Sequence, residues 1–129
     1  MSAGYSGTPL PKKLGLKEGS RLLLIGAPDG FDLGHPQAVE GPYDVIVFFV
    51  EWRVDLESHL DGAIETLAER GGLWIAWPKR ASKMPTDITE NTLRDVILPT
   101  GMVDNKVCAI DDTWSALRFV RRLKKGGLT

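Results

Sequence analysis

The 129-residue sequence contains one cysteine and two histidines. Cys108 alone excludes an internal disulfide bond, and its apolar flanks predict a small core residue in a strand. His35 and His59 are not paired with cysteine or carboxylate residues at the spacing of metal ligands. Neither histidine has a serine or cysteine placed near it in a known nucleophile motif. The sequence therefore predicts no metal site and no catalytic residues.

Long apolar runs and an excess of one charge are also missing. No apolar stretch reaches the roughly 18 residues that cross a bilayer, and the N-terminus lacks the basic-then-apolar layout of a secretory signal. We therefore expect a cytoplasmic protein without membrane contact. The net charge of −1 gives no overall attraction to nucleic acid. Nucleic acid is not a predicted partner, because the C-terminal basic residues have no interleaved aromatic residues: Arg118, Arg121, Arg122, Lys124 and Lys125.

The sequence does contain enough apolar material for one core. Hydrophobic residues make up 43% of the chain and charged residues 26%, which is the balance of an ordinary globular domain. We expect a single α/β domain over residues 1–129, with a flexible arm over residues 1–10 and a basic tail over residues 123–129. Within the first part, Leu10 and Leu14 would lie on one side of a short helical turn that ends at Gly15.

Apolar runs indicate the strands. Residues 21–26 and 44–50 are apolar at successive positions, which is typical of parallel strands covered on both faces. The stretch 71–80 (GGLWIAWPKR) predicts the central strand. Residues 27–43 hold too many glycines and prolines for a regular crossover helix, although a short helix or a short edge strand fits inside them.

Side-chain alternation and spacing complete the sheet. In the central strand, Ile75 and Trp77 should lie on one face, with Trp74 and Ala76 on the other. Residues 106–110 and 116–122 are too close for a parallel pair and predict an antiparallel hairpin. Its turn contains Asp111-Asp112, which is either a turn sequence or a carboxylate pair for acid–base chemistry.

Two amphipathic segments predict helices. The first covers residues 55–70, with Asp55 as its N-cap, an acidic outer face, and Gly71-Gly72 as its end. The second covers residues 88–98, and Asp87 with Glu90 gives it a capping-box-like start. The predicted order of elements is therefore β, loop, β, α, β, α, β, β.

From residue 21 onward this order resembles a class I methyltransferase domain of reduced size, whose last part runs strand, helix, strand, helix and a hairpin with one antiparallel strand. The resemblance implies a three-layer Rossmann-like α/β fold, with a mostly parallel sheet of about five strands and a C-terminal antiparallel hairpin. Residues 26–30 (GAPDG) stand where that family has its ligand loop, but without the repeated glycines. No cofactor is predicted, and S-adenosylmethionine or a nucleotide is the alternative.

A second resemblance rests on three sequence motifs: residues 8–15 (TPLPKKLG), 73–79 (LWIAWPK) and 103–110 (VDNKVCAI). They are similar to those of a set of small bacterial proteins that form a domain family of unknown function. The resemblance spans nearly the whole chain. It implies an intracellular bacterial protein and no particular chemistry.

In open α/β sheets, ligands bind at the carboxyl ends of the parallel strands. The residues expected there form the predicted ligand site: Gly26, Asp29, Gly30, Trp52, Trp77, Lys79 and Arg80. Residues 26–30 would wrap a small anion or nucleotide, or form a tight turn. Lys79, Arg80 and Lys83 would bind a phosphate or carboxylate, or form a solvated loop. The tryptophans, with Trp114, would stack on a ligand ring or pack at the rim.

These features favour a non-catalytic domain that binds a small ligand or regulates a partner, because the scaffold has no catalytic constellation. The alternative is a small S-adenosylmethionine-dependent methyltransferase or another nucleotide-using enzyme. A third hypothesis is a homo-oligomer formed through a sheet edge, since a sheet of few strands leaves edges that need cover.

Overall fold

The structure is a computed structural model that describes residues 8–122. The predicted order of elements is confirmed. The helices are α1 (Leu10–Lys13), α2 (Arg53–Thr66) and α3 (Glu90–Ile97), and the strands are β1 (Leu22–Ile25), β2 (Tyr43–Phe49), β3 (Leu67–Pro78), β4 (Met102–Ala109) and β5 (Trp114–Arg121). The predicted basic tail and all but residues 8–10 of the predicted arm lie outside the described residues.

The five strands form one sheet in the order β1-β2-β3-β5-β4. The pairs β1–β2 and β2–β3 are parallel, whereas β3–β5 and β4–β5 are antiparallel. The α/β class and the hairpin are confirmed, but the prediction of a mostly parallel sheet is wrong because the sheet is mixed. The reason is that β5 lies between β3 and β4 and runs opposite to both. It therefore forms two antiparallel pairings. Since β3 pairs with β2 and β5, it is the central strand, as predicted.

One face of the sheet is covered by α2 and α3. Ile46 and Phe48 of β2 and Ile75 of β3 pack there against buried leucines of both helices. Trp77 contacts the same cluster, so the predicted facing of Ile75 and Trp77 is confirmed.

The opposite face is covered by α1 and by loops without regular secondary structure. Leu14, Leu16 and Leu33 pack against Trp74 and Ala76 of the central strand. Residues 27–42 add no regular helix, and their backbone pairs with the sheet through a short parallel bridge between Gln37 and Leu22. The third layer of the predicted three-layer arrangement therefore consists of one helical turn and loops rather than a row of helices.

The junction of α2 and β3 differs from the prediction. α2 ends at Thr66 and β3 begins at once with Leu67, so the Gly71-Gly72 pair lies inside the strand instead of ending the helix. A Cβ atom on Gly71 would lie 2.9 Å from the carbonyl oxygen of Tyr43, and one on Gly72 would overlap the guanidinium of Arg118. At both positions the absence of a side chain leaves room for neighbouring atoms of the sheet.

The helix starts also differ. Asp55 is not the N-cap of α2, and Asp87 with Glu90 is not the capping box of α3. Thr89 caps α3 through a reciprocal pair of bonds with Thr92, and the Oδ1 atom of Asp87 accepts the backbone N–H of Arg53 at 2.8 Å. Asp87 therefore caps the start of α2 and not that of α3. This bond was not predictable from local spacing because its partners are 34 residues apart.

We expect the substitution Asp87→Ala to lower the free energy of unfolding by about 1 kcal/mol, the usual cost of a lost N-cap. Asp87→Asn keeps an acceptor oxygen and should recover most of the loss. Asp95→Ala is the matched control, because Asp95 is exposed on α3 and should change stability by less than about 0.5 kcal/mol. Urea unfolding measures all three, and equal losses for Asp87→Ala and Asp95→Ala would contradict the cap.

The hairpin turn follows aspartate's turn chemistry. The Oδ1 atom of Asp111 accepts the backbone N–H groups of Thr113 and Trp114, each at 2.8 Å. The turn interpretation of this carboxylate is thus confirmed. Cys108 lies in β4, half-buried against the second core cluster, and burial raises the pKa of its thiol while Lys13 and Lys106 lower it.

The two edges of the sheet are unequal. At β1, the side chain of Gln37 accepts the N–H of Leu24 at 2.9 Å, so a neighbouring segment covers that edge. At β4, no strand of residues 8–122 pairs with the outer side, where Val107 is 60% exposed. Self-association through this edge stays a prediction.

Candidate functional site

The carboxyl ends of β1, β2, β3 and β4 lie at one edge of the sheet, because all four strands run in the same direction. The hairpin turn lies at this edge too, since the N–H of Lys79 donates to the carbonyl oxygen of Thr113 at 2.7 Å. This is the edge at which ligands bind in open α/β sheets.

A cleft of about 550 Å³ opens at this edge, and we call it the carboxyl-edge cleft. Its walls are mostly apolar, with one acidic side. The residues that line it are Ile25, Gly26, Pro28, Phe48, Phe49, Val50, Glu51, Asp55, His59, Met84 and Trp114. Apolar walls with a few polar groups on one side are the usual composition of a small-molecule site.

Gly26 brings the end of β1 close to β2. Its φ of +68° is in the left-handed region, and a Cβ atom there would lie 3.0 Å from the carbonyl oxygen of Phe49. The ring of Phe49 in turn packs edge-on against Phe31 and Trp114, with centroids 5.0 and 5.1 Å apart. A glycine is therefore required for the cleft wall to close in this way.

The acidic side of the cleft comes from the end of β2 and the first turns of α2. Glu51 is half-buried, and its carbonyl oxygen accepts the hydroxyl of Thr86 at 2.6 Å. Asp55 and His59 follow on exposed positions of the helix. The Nδ1 atom of His59 is 3.1 Å from the carbonyl oxygen of Asp55, which can only accept, so the neutral ring is protonated at Nδ1. Its Nε2 atom is then an acceptor available to a ligand.

A second cleft of about 490 Å³ lies beside the first, and we call it the basic cleft. Trp77, Arg80 and Lys83 line it, together with the segment that leads into α3. A 3₁₀ turn at Arg80–Ser82 holds this region, followed by Lys83 in a left-handed conformation with φ of 63°. Met84 lines both clefts, so the two are neighbours.

Three of the seven predicted site residues line one of these two clefts. Gly26 lines the carboxyl-edge cleft, whereas Trp77 and Arg80 line the basic cleft. The remaining four line neither of them: Asp29, Gly30, Trp52 and Lys79. Asp29 and Gly30 are exposed in the turn after β1, and Trp52 is 41% exposed just before α2.

Sequence reasoning missed Asp55 and His59 as site residues. It treated Asp55 only as a helix cap, and it considered His59 only as a possible metal ligand or partner of a nucleophile. Their spacing of four residues, directly after the end of a parallel strand, places both on one helix face near the strand ends. This spacing is the feature of the sequence from which both residues could have been predicted. Within residues 8–122, no group of three histidine, cysteine or carboxylate side chains is placed to hold a metal ion.

Comparisons with known proteins assign no family to the chain. No protein-family profile matches it, and no curated protein matches it. Among solved structures, it is similar to a chain of the crystal structure of a fibrillarin/Nop5p complex, with 14% sequence identity and a TM-score of 0.44. The match covers 65% of this chain and 42% of that one, so the chain spans less than half of that protein's length. In the part of the chain that the structure describes, no helix has the length and apolar content to span a membrane.

Proposed function

We propose that this protein is a non-catalytic domain that binds a small organic ligand in the carboxyl-edge cleft. The observation that supports this most is the position of the cleft at the shared carboxyl edge, where Gly26 lets β1 approach β2 and the wall combines apolar rings with a few polar groups. This combination is typical of binding sites in open α/β sheets.

The charges of the lining residues indicate the chemistry of the ligand. Glu51 and Asp55 line the carboxyl-edge cleft, and no lysine or arginine of residues 8–122 does. An amine or another cationic group would therefore be favoured next to α2. A ring of the ligand would contact the aromatic wall formed by Phe49 and Trp114.

The basic cleft extends this proposal to ligands with an anionic group. Arg80 and Lys83 line it together with Met84, which also lines the carboxyl-edge cleft, and guanidinium and ammonium groups both bind phosphate or carboxylate. A nucleotide would fit this division, with its base in the carboxyl-edge cleft and its phosphates at Arg80 and Lys83. A nucleotide is thus the first ligand to test.

A methyltransferase is the second candidate. What favours it is the strand order, in which β5 runs opposite to the other four strands of residues 8–122 and lies between β3 and β4. A class I methyltransferase domain ends in a hairpin with one antiparallel strand of this kind, and S-adenosylmethionine carries both a cationic sulfonium and an adenine ring. The same cleft would then hold that cofactor.

Thermal-shift measurements with AMP, ATP, NAD, S-adenosylmethionine and a sugar phosphate test both candidates, because a ligand of the native state raises the melting temperature. For a ligand that places an amino group, a sulfonium or another cationic or N–H group in this cleft, we expect Asp55→Ala to weaken the affinity by roughly tenfold, or about 1.4 kcal/mol, through loss of the carboxylate. Calorimetric titration measures this change.

Asp61→Ala is the matched control, since Asp61 is exposed on the same helix and does not line the cleft. Equal affinities for Asp55→Ala and Asp61→Ala, or no binding by any compound at millimolar concentration, would contradict the cleft as the site. Transfer of a labelled methyl group that depends on Asp55 or His59 would replace the first candidate by the second.

A further inference from the structure

A third cavity, of about 470 Å³, lies at the opposite edge of the sheet from both clefts, and we call it the amino-edge cavity. It is formed where β2 and β3 begin, below the turn that leads from α1 to β1. Its charged lining residues are Lys17, Glu18, Asp44, Arg70 and Arg118. The proposed function uses none of them.

Arg118 is the most constrained of these side chains. It is opposite Trp74 in the pairing of β3 with β5, and its guanidinium lies against the backbone of Gly72. A Cβ atom on Gly72 would lie 2.9 Å from both Cζ and Nη2 of that guanidinium. A glycine at position 72 is therefore what leaves room for Arg118 over the central strand.

The guanidinium of Arg118 has few polar partners to replace the water that it has lost at this position. Its one hydrogen bond to a residue of 8–122 joins Nη1 to Oδ1 of Asn105 at 3.3 Å, and no carboxylate in that range forms a salt bridge with it. Burial lowers the pKa of Arg118, as expected for a cation that has lost part of its hydration. A half-buried guanidinium of this kind would gain from an anionic partner.

The other charges of the cavity leave room for such a partner. Three cationic side chains face two carboxylates, so the lining has an excess of one positive charge. One of the carboxylates, Asp44, accepts the backbone N–H of Arg21 at 2.8 Å. The salt bridges within residues 8–122 involve Arg53 and Arg94 and none of the cavity's cations.

We propose that the amino-edge cavity binds a small oxyanion, a phosphate or carboxylate group, with Arg118 as its main ligand and Arg70 and Lys17 beside it. The planar guanidinium presents paired N–H donors that match two oxygens of either group. The site is independent of the carboxyl-edge cleft, because the two share no lining residue.

The test is titration with inorganic phosphate and, in parallel, with acetate, each followed by amide chemical shifts and by melting temperature against sodium chloride of equal ionic strength. We expect shifts at Gly72 and Arg118 and a higher melting temperature than in chloride. Phosphate binding without acetate binding would assign the site to phosphate groups, and binding of both would assign it to oxyanions including carboxylates. Equal behaviour of all three salts would overturn the proposal.

Arg118→Gln should weaken the affinity roughly tenfold. Without added anion it should not lower the melting temperature, because it removes a poorly compensated cation. The control is Arg122→Gln, since Arg122 is exposed after β5 and does not line the cavity. If the phosphate effect is the same in Arg118→Gln as in Arg122→Gln, the proposal fails. Should Arg118→Gln not fold, Arg70→Gln at an exposed position must still weaken binding, and unchanged affinity there would overturn the site as well.

Discussion

Replacing Gly26 by alanine is expected to lower the free energy of unfolding by about 2–3 kcal/mol. Two costs add at this position. An L-residue at φ of +68° is strained, and its Cβ atom would meet the carbonyl oxygen of Phe49 at 3.0 Å. That oxygen belongs to the backbone of the last residue of β2 and cannot turn away as a flexible side chain would. Chemical unfolding of the variant measures the loss.

Gly30→Ala separates the two costs. Gly30 has a φ of +82°, similar to that of Gly26, but a Cβ atom there has nothing within 4 Å. We expect a loss of only about 1 kcal/mol, from backbone strain alone. If the two variants lose the same stability, the close approach of β1 to β2 is not a constraint. If Gly26→Ala folds but no longer binds a ligand that the native protein binds, the carboxyl-edge cleft gains direct support.

The strands and the hairpin could be predicted from the sequence because their signals are local. An uninterrupted apolar run such as residues 45–50 indicates a strand covered on both faces wherever it lies in the chain. The short connection between β4 and β5 permits only antiparallel pairing. The alternation of Trp74, Ile75, Ala76 and Trp77 likewise fixed which side chain lies on which face.

The order of the strands and the ends of the helices depend instead on contacts between distant residues. Gly71 and Gly72 looked like a helix end because glycine is common there. Their actual role is set by the carbonyl of Tyr43 and by Arg118, which are far away in sequence. Asp87 likewise has the sequence context of a cap for α3, yet it binds the start of α2. Local spacing contains no information about these partners.

Three of the seven predicted site residues line one of the two clefts at the carboxyl edge, and four do not. The rule that ligands bind at the carboxyl ends of parallel strands points to the edge at which the carboxyl-edge cleft lies, and that this cleft binds a ligand stays a prediction. It did not distinguish residues that follow a strand from residues that line a cleft, and Asp29 and Trp52 belong to the former. Asp55 and His59 line the cleft because they lie four residues apart on α2, which begins just after β2 ends.

Replacing Trp74 by alanine should have the largest effect on stability of any substitution considered, about 4–5 kcal/mol, since removal of a buried tryptophan leaves a large cavity. Trp74 is fully buried in the central strand, within the cluster that holds α1 and the loops against the sheet. Its Nε1–H also donates to the carbonyl oxygen of Leu14 at 3.1 Å, so the variant leaves that acceptor unpaired. Urea unfolding, with the midpoint and slope both fitted, measures the loss.

Trp52→Ala makes the same chemical change at a side chain that is 41% exposed, and we expect it to cost only about 1–2 kcal/mol. The difference between the two variants measures what burial and the bond to Leu14 contribute. Trp74→Phe keeps a ring but removes the donor, so it should fall between them. Because Trp74 joins the central strand to the segment that follows α1, its loss should also expose the amides of residues 14–16 to hydrogen exchange. Unchanged exchange there would mean that this segment is held by other contacts.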